Sequence, residues 1–441
     1  MSPLVLMPLL LAQTHANWEA SVRTEVRART ATAQDQGTNA AGDVELRPFL
    51  SGSLFNGPWS LNGSYSPTFR SREPYSTNRM GAPIGDHSHV VQLGGVWAKE
   101  GTARVFAGEF FNYGTLDLST LNREGAVAGQ PAPPPPVRTG LGLVQELTTD
   151  TSVGLDWYLT QRLTLTLTGG FVYGGGTDEV SRRSLPLQSS YRVGSKLAWL
   201  ASRLDTFALN ASGQYVRFFQ VPAYNDGMRE VAANPGARVV ILELSTRYDR
   251  LLAEETTVDV TVGITGVVGQ IPNTDPNVPG AFKTINNPGG LVAAGFSHRE
   301  QLKGQQVDFR LNASLAPFVD RFAGSVYQRV EAGGTIGWSN AQRFSASLSA
   351  GVARSLPVGN ELALTSVYGE GGGGYQGDPW WRVDVVGRLS VNRQDNLPVA
   401  AGMTVGPPPP LGTQWVVGLS LTLIAASQQP RTFQAEEKRG P

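Results

Sequence analysis

The chain has 441 residues, 36 Lys plus Arg against 36 Asp plus Glu, no cysteine, and only 16% charged residues. The balanced charge argues against a nucleic-acid binder, which draws on a basic surplus. The absent cysteine excludes disulfides, thiolate metal sites, a Cys nucleophile and an N-terminus anchored in the manner of bacterial lipoproteins. Sparse charge with 9 Trp, 12 Tyr and 17 Phe argues against disorder.

Residues 1–16 read as a secretory signal peptide, with an apolar core Leu4–Leu11 and small residues at Thr14 and Ala16. No Lys or Arg precedes Arg23, so the basic start of such a signal is missing. Past residue 16 no stretch reaches the about 18 consecutive apolar residues of a spanning helix.

From Trp18 onward apolar and polar residues alternate, the period of an extended strand. Trp18, Val22 and Val26 share one face; Arg23, Arg27 and Arg29 share the other. The second run sets Val44, Leu46 and Leu50 against Glu45 and Arg47. It meets a third run, Trp59 to Tyr65, at the hairpin signal Asn56-Gly57. The same pattern continues through Val91–Trp97, Ala103–Phe111, Val153–Leu159, Leu163–Tyr173, Val193–Trp199 and Phe207–Tyr215. Val240–Tyr248 carries Glu243 and Arg247 on its polar face, and Val258–Ile264 follows. Val307–Leu315 carries Asp308 and Arg310; Val326–Trp338 carries Arg329 and Glu331. Phe344–Val352, Val383–Val391 with Arg382, Asp384 and Arg388, and Gln414–Ala425 complete the set, with weaker runs at Leu291–Leu302 and Glu361–Tyr368.

These amount to 18 runs, within a range of 16–18, and many are ten residues or longer. Soluble strands average about 5–6 residues, whereas a tilted membrane strand needs about 9–11. Short turns near Asn56, Glu100, Gln161, Asp205, Lys303, Asn340 and Gly372 alternate with longer segments at 70–86, 113–140, 174–188, 220–236, 270–289 and 392–412. The connections near Asp320 and Pro357, on the long-loop side, are short. The expected fold is therefore all-β: a transmembrane antiparallel up-and-down β-barrel with both termini periplasmic. Residues 17–426 form the barrel and 427–441 a C-terminal periplasmic tail. The last strand should close against the strand at Trp18. The proline tracts Pro133–Pro136 and Pro407–Pro410 fall in outer loops, where a missing ladder donor costs nothing.

In a bilayer every backbone donor and acceptor needs a partner within the protein, and a closed barrel supplies one. Apolar faces then meet lipid and polar faces line the lumen. The candidate pore-lining residues are Arg23, Arg27, Glu243, Arg247, Asp308, Arg310, Arg329, Glu331, Arg382, Asp384 and Arg388. For any single one, plain solvation or a cross-strand ion pair is the simpler role. Most Trp residues sit near run ends, as an interfacial girdle requires, with a carbohydrate-stacking platform as the alternative for a few. His87-Ser88-His89 has no evident third ligand for a metal. Gly371–Gly374 lacks the Lys of a phosphate-binding loop and reads as a flexible turn. With no Ser/His/Asp motif, no enzyme activity and no cofactor are expected.

In this pattern the chain resembles the β-barrel porin families of Gram-negative outer membranes. The hairpin Val153–Phe171 and the strand pairs at 238–268 and 380–425 carry the resemblance, which covers nearly the whole mature chain. Some barrels of this kind look like outer-membrane conduits encoded with polysaccharide-export systems. The resemblance implies a water-filled pore or export conduit in the cell outer membrane for polar solutes or polysaccharide. Its partners would be outer-membrane lipid, the cargo and a periplasmic export or assembly partner. A surface barrel whose outer loops bind a partner is the alternative. Porin-like barrels commonly end on an aromatic residue; here Phe433 lies inside the tail.

Overall fold

The computed structural model describes residues 15–30, 40–73, 86–117, 143–221, 224–225, 230–231, 235–272, 282–320, 325–340, 343–357, 364–394 and 413–426. The strands, in chain order, are β1 (His15–Thr30), β2 (Ala40–Asn56), β3 (Trp59–Glu73), β4 (His87–Lys99), β5 (Ala103–Asp117), β6 (Leu143–Thr160) and β7 (Leu163–Gly176). A short helix α1 (Glu179–Ser184) follows, capped by Asp178, whose Oδ1 accepts from Ser181 N at 2.9 Å. Then come β8 (Gln188–Leu200), β9 (Asp205–Phe218) and a separate two-stranded ladder of β10 (Tyr224–Asn225) and β11 (Glu230–Val231). The wall resumes with β12 (Ala237–Ala253), β13 (Thr256–Pro272), β14 (Phe282–Leu302), β15 (Gln305–Asp320), β16 (Ser325–Asn340), β17 (Phe344–Pro357), β18 (Leu364–Asp378), β19 (Trp381–Gln394) and β20 (Thr413–Ala426).

Apart from β10 and β11, these strands make one 18-stranded sheet in which every pairing is antiparallel and follows chain order. The sheet closes: β1 pairs with β2 on one side and with β20 on the other, from Glu19↔Ala426 to Arg29↔Val416. Closure leaves neither a first nor a last strand with a free edge, so backbone groups along the paired ladders find their partners within the wall. This is the barrel expected from the alternation, closed where expected.

Burial is inverted relative to a water-soluble domain. Leu242 is 56% exposed and Ile264 66%, whereas Arg29 and Glu45 are each 1% exposed. The large exposed apolar residues, among them Val22, Leu50, Leu93, Val153, Leu209, Leu348 and Leu419, occupy one phase of every strand. A continuous apolar exterior of this kind has lipid as its solvent, and with the closed wall it defines an outer-membrane barrel. Glu109 is a charged residue on this phase: it pairs with the exposed Leu93 of β4, and its carboxylate accepts from the hydroxyls of Thr149 and Thr151 on β6.

The nine tryptophans are unevenly placed. Trp18, Trp59, Trp97, Trp157, Trp199, Trp338, Trp380 and Trp381 all lie at the short-turn rim, and Trp415 alone lies near the other. Neighbouring rings touch there, with centroids 6.3 Å apart for Trp59 and Trp97 and 5.6 Å for Tyr375 and Trp381. This is an interfacial girdle weighted to one side.

Two sequence expectations are corrected. The Gly371–Gly374 segment is not a turn: it lies in mid-strand in β18, and the turn falls at Pro379-Trp380. A Cβ on Gly374 would meet Arg382 Nη2 at 2.6 Å, so the glycine leaves space for a side chain of the next strand. The expected loop 270–289 is also mostly strand, since β13 runs to Pro272 and β14 begins at Phe282. His87 and His89 are the first and third residues of β4. Residues 1–14, both proline tracts, Phe433 and the tail 427–441 lie outside the described residues, and β1 already includes His15 and Ala16.

Candidate functional site

The polar phase of the wall carries its charges as ion pairs. The densest group spans β1–β3. Arg27 bridges Glu25 (Nε to Oε1, 2.7 Å) and Glu45 (Nη2 to Oε2, 2.8 Å). Glu45 also receives Arg47 at 2.8 Å and Arg70 at 2.6 Å. Arg23 reaches Glu25 at 2.9 Å, Arg29 holds Asp43 at 2.8 Å, and Arg70 approaches Asp86 at 3.7 Å. Gly418 on β20 leaves space for this group, because a Cβ there would meet Glu25 Oε1 at 2.6 Å. Three arginines around one carboxylate recover the hydration that burial removes.

The other candidates are distributed around the wall and do not converge on one site. On β12, Glu243 accepts from Ser212 Oγ at 3.0 Å, and Arg247 holds Asp249 at 2.7 Å with Asp259 at 3.7 Å. On β15, Asp308 accepts from Arg299 Nε (2.8 Å) and Gln306 Nε2 (2.6 Å), and Arg310 follows two residues on, opposite Thr335. On β16, Arg329 lies 3.2 Å from Glu331, and its guanidinium sits 4.4 Å from the Phe318 ring centroid. On β19, Arg382 donates to Asp384 (2.7 Å) and to Ser345 (3.1 Å), while Arg388 lies 5.9 Å from the Tyr368 ring centroid. Cross-strand alternation predicts this phase. It does not single out Glu45, whose importance comes from three basic neighbours on β1, β2 and β3.

The main feature that sequence reading missed is in the upper part of β15 and β16. β14 pairs with β13 from Phe282 to His298, but its ladder with β15 begins only at Val292↔Leu315. Above that level the wall is split. β15 continues to Asp320 paired with β16 alone. The two edges of the split carry Pro288 on β14 and Pro317 on β15. Proline lacks a ladder donor and is tolerated at an unpaired edge.

The hairpin tip above the split turns into the barrel. Gln328 Nε2 on β16 donates to Thr265 Oγ1 on β13 at 3.2 Å. In a regular wall these strands stand three spacings apart, about 14 Å, beyond the reach of Gln plus Thr. Val319 and Val326 pair with each other and share the phase of the exposed Leu311 and Val330. Yet Val326 is 1% exposed and packs in a cluster with Val216, Phe218, Val239, Ile241, Val267 and Ile285. Those residues occupy the inner phase of β9 and β12–β14, opposite the exposed Tyr215, Val240, Leu242 and Val268. The tip has therefore laid its lipid-phase side onto the inner face of the neighbouring wall. Val326, Tyr327, Gln328 and Arg329 are all buried, so both faces of the tip are covered. Gly289 makes room: a Cβ there would meet Gln328 Nε2 at 2.5 Å and Thr265 Oγ1 at 2.9 Å.

Ile241 of this cluster also lines a recess of about 350 Å³, together with Arg192, Ser212, Gln214 and Glu243. Its donors and acceptors are held in place, with Gln214 Nε2 donating to Ser190 Oγ at 2.8 Å and Arg192 paired with Asp150. Among the described residues no three His, Asp or Glu converge as a metal site. His89 stacks on Tyr65 with Nδ1 2.9 Å from Tyr65 Oη, on the lipid phase of β4.

A family model described as the EpsX exopolysaccharide export family matches residues 9–406. No curated protein matches the chain. Among solved structures the chain is similar to OccAB3 of Acinetobacter baumannii, at 11% identity and TM-score 0.44, over 93% of this chain and 99% of that one. It is similar also to a BenF-like porin from Pseudomonas fluorescens Pf-5, at 11% identity and TM-score 0.45, over 93% and 98%. The FrpB iron transporter from Neisseria meningitidis, F5-1 variant, aligns at 9% identity and TM-score 0.49, over 94% and 83%.

Proposed function

Since the chain belongs to the EpsX exopolysaccharide export family, we propose that its barrel is the outer-membrane passage for an exopolysaccharide, narrowed by the inward-turned β15–β16 tip. The observation that carries this reading is the inner wall itself. An 18-stranded barrel is wide enough for an aqueous channel. Its polar phase presents guanidinium groups, carboxylates and hydroxyls already fixed by one another. A hydroxyl-rich polymer can exchange hydrogen bonds along such a wall without meeting one deep binding site, as passage requires.

The pore-lining role belongs to the eleven candidate residues together with Glu45, Arg70 and Arg192. Pairing with one another and with Glu25, Asp150, Asp249 and Asp259 leaves little net field, which suits a neutral or weakly charged polymer over a small ion selected by sign. The short-turn rim, with its tryptophans and both chain ends of the barrel, faces the periplasm in this reading. The long connections then face outward. The tip is the constriction: it enters from the outer rim and is held by Val326 and Gln328.

Two measurements test this together. Planar-bilayer recording of the folded protein should show conductance with weak ion preference. Deletion of the gene in a polysaccharide-producing host should strand polymer in the periplasm, with export restored by the wild-type gene. Normal surface polysaccharide in the deletion strain would sink the export reading, and a folded barrel that never conducts would sink the passage.

A further inference from the structure

The lipid phase carries a basic site at the long-loop rim. Arg217 is the penultimate residue of β9 and Arg238 the second of β12, and the two are direct cross-strand partners. Both are exposed, and among the described residues no carboxylate pairs with either. Each lies on the phase of the exposed Tyr215 and Val240, so both guanidinium groups point out of the barrel. Two like charges placed directly opposite repel. An anion between them removes that repulsion and collects charge-assisted hydrogen bonds from both.

The surroundings point to the kind of anion. The register row through the pair continues to Ser189 on one side and Gln270 on the other. The next row down, toward the apolar band, is Phe171, Tyr191, Tyr215 and Val240, with Tyr191 55% exposed and its ring 4.9 Å from that of Phe171. Phe219 supports Arg217 from the rim side, with Cζ 4.7 Å from its ring centroid. Passing toward the rim, the surface goes from apolar to aromatic to doubly cationic. Acyl chain, interfacial region and phosphate follow one another in that order in a phosphorylated lipid.

We propose that Arg217 and Arg238 bind the phosphate of a lipid headgroup packed against the outer rim of the barrel. The choice of a lipid over a soluble anion rests on the orientation proposed above. The binding measurement itself does not depend on that orientation, so the two readings fail separately.

The test is native mass spectrometry of the full-length barrel in an uncharged detergent, titrated with lipid A, with phosphatidylethanolamine or with inorganic phosphate. Lipid A should give saturable adducts. An Arg near an anionic surface contributes a factor of about five to binding, so R217Q/R238Q should weaken binding by roughly 30-fold. The variant K99Q/K303N, which removes two exposed charges at the opposite rim, should bind lipid A as the wild type does. Heat-modifiable migration of each variant confirms folding. The proposal is overturned if R217Q/R238Q binds lipid A normally, or if K99Q/K303N loses as much. It is also overturned if inorganic phosphate alone saturates the site, which would make it a site for a free anion.

Discussion

Replacing Val326 with Ala should release the β15–β16 tip and open the barrel. Val326 is 1% exposed, and full burial of a valine side chain contributes about 1.5–3 kcal/mol. Val319 packs on the same cluster from a partly buried position and adds about 1 kcal/mol. The Gln328–Thr265 hydrogen bond contributes about 1 kcal/mol net. Against these, Gln328 Oε1 is buried with no hydrogen-bond partner among the described residues, at a cost of about 1–3 kcal/mol. The balance is docking by about 2 kcal/mol, or a closed-to-open ratio of roughly 30 to 1. V326A removes two methyl groups and leaves a gap, costing about 2 kcal/mol. The ratio should fall to near 1 to 1, and the time spent in the wider state should rise about fifteen-fold. Single-channel recording in planar bilayers reads this directly. Q328L separates packing from hydrogen bonding: it loses one bond but also frees the stranded oxygen, so the tip should stay docked. The reasoning is refuted if V326A shows the wild-type open fraction, or if Q328L opens the channel as far as V326A does.

Other expectations follow from the two phases of the wall. L242R puts a charge at an exposed lipid-phase position and should cost about 2–4 kcal/mol, seen as loss of the heat-modifiable form, whereas S212R on the inner phase should assemble. E45A removes the carboxylate that Arg27, Arg47 and Arg70 share and should destabilise the barrel by about 3–5 kcal/mol, lowering its unfolding temperature in detergent. The more exposed Arg247–Asp249 pair should matter little, about 0–1 kcal/mol for D249N. The chain has no native cysteine, so single cysteines report without background. A cysteine at Ser212 should react with a charged thiol reagent from water, and one at Leu242 should react only with a lipid-soluble one.

The strands were legible because each residue in the wall meets one of two very different solvents, and the period-2 pattern records which. That is why the alternation alone pairs Trp18–Ala28 with Gln414–Ala425 as the closing strands. Gly371–Gly374 misled because glycine signals a turn only when its own backbone needs the freedom. In β18 it is the neighbouring strand that needs the space, for Arg382. The ion-pair group around Glu45 was half legible. Alternation put Glu45, Arg47 and Arg27 on the polar phase, but Arg70 joins them only through the β2–β3 register, Glu45↔Arg70. The inward tip was hidden for a more basic reason. Val319 and Val326 keep the lipid phase perfectly, so their pattern is identical whether they face lipid or the inner wall. The cue lay on the receiving side. Val239-Val240-Ile241-Leu242 and Val267-Val268 are apolar on both phases, which a wall between lipid and water has no use for.

The split and the tip explain each other. Once β15 leaves β14 above Leu315, both strands expose backbone edges inside a membrane, where an unpaired donor is costly. Pro288 and Pro317 remove two of those donors outright. Turning the tip inward takes the β15 edge away from lipid and covers it with the inner wall. The apolar cluster then holds it there, in the water-facing part of the barrel, where hydrophobic burial has its full strength. The same contact on the outside would be worth little, because lipid chains solvate valine as well as another valine does. An apolar clamp can therefore close this barrel only from within, which is where Val216, Val239, Ile241 and Val267 stand.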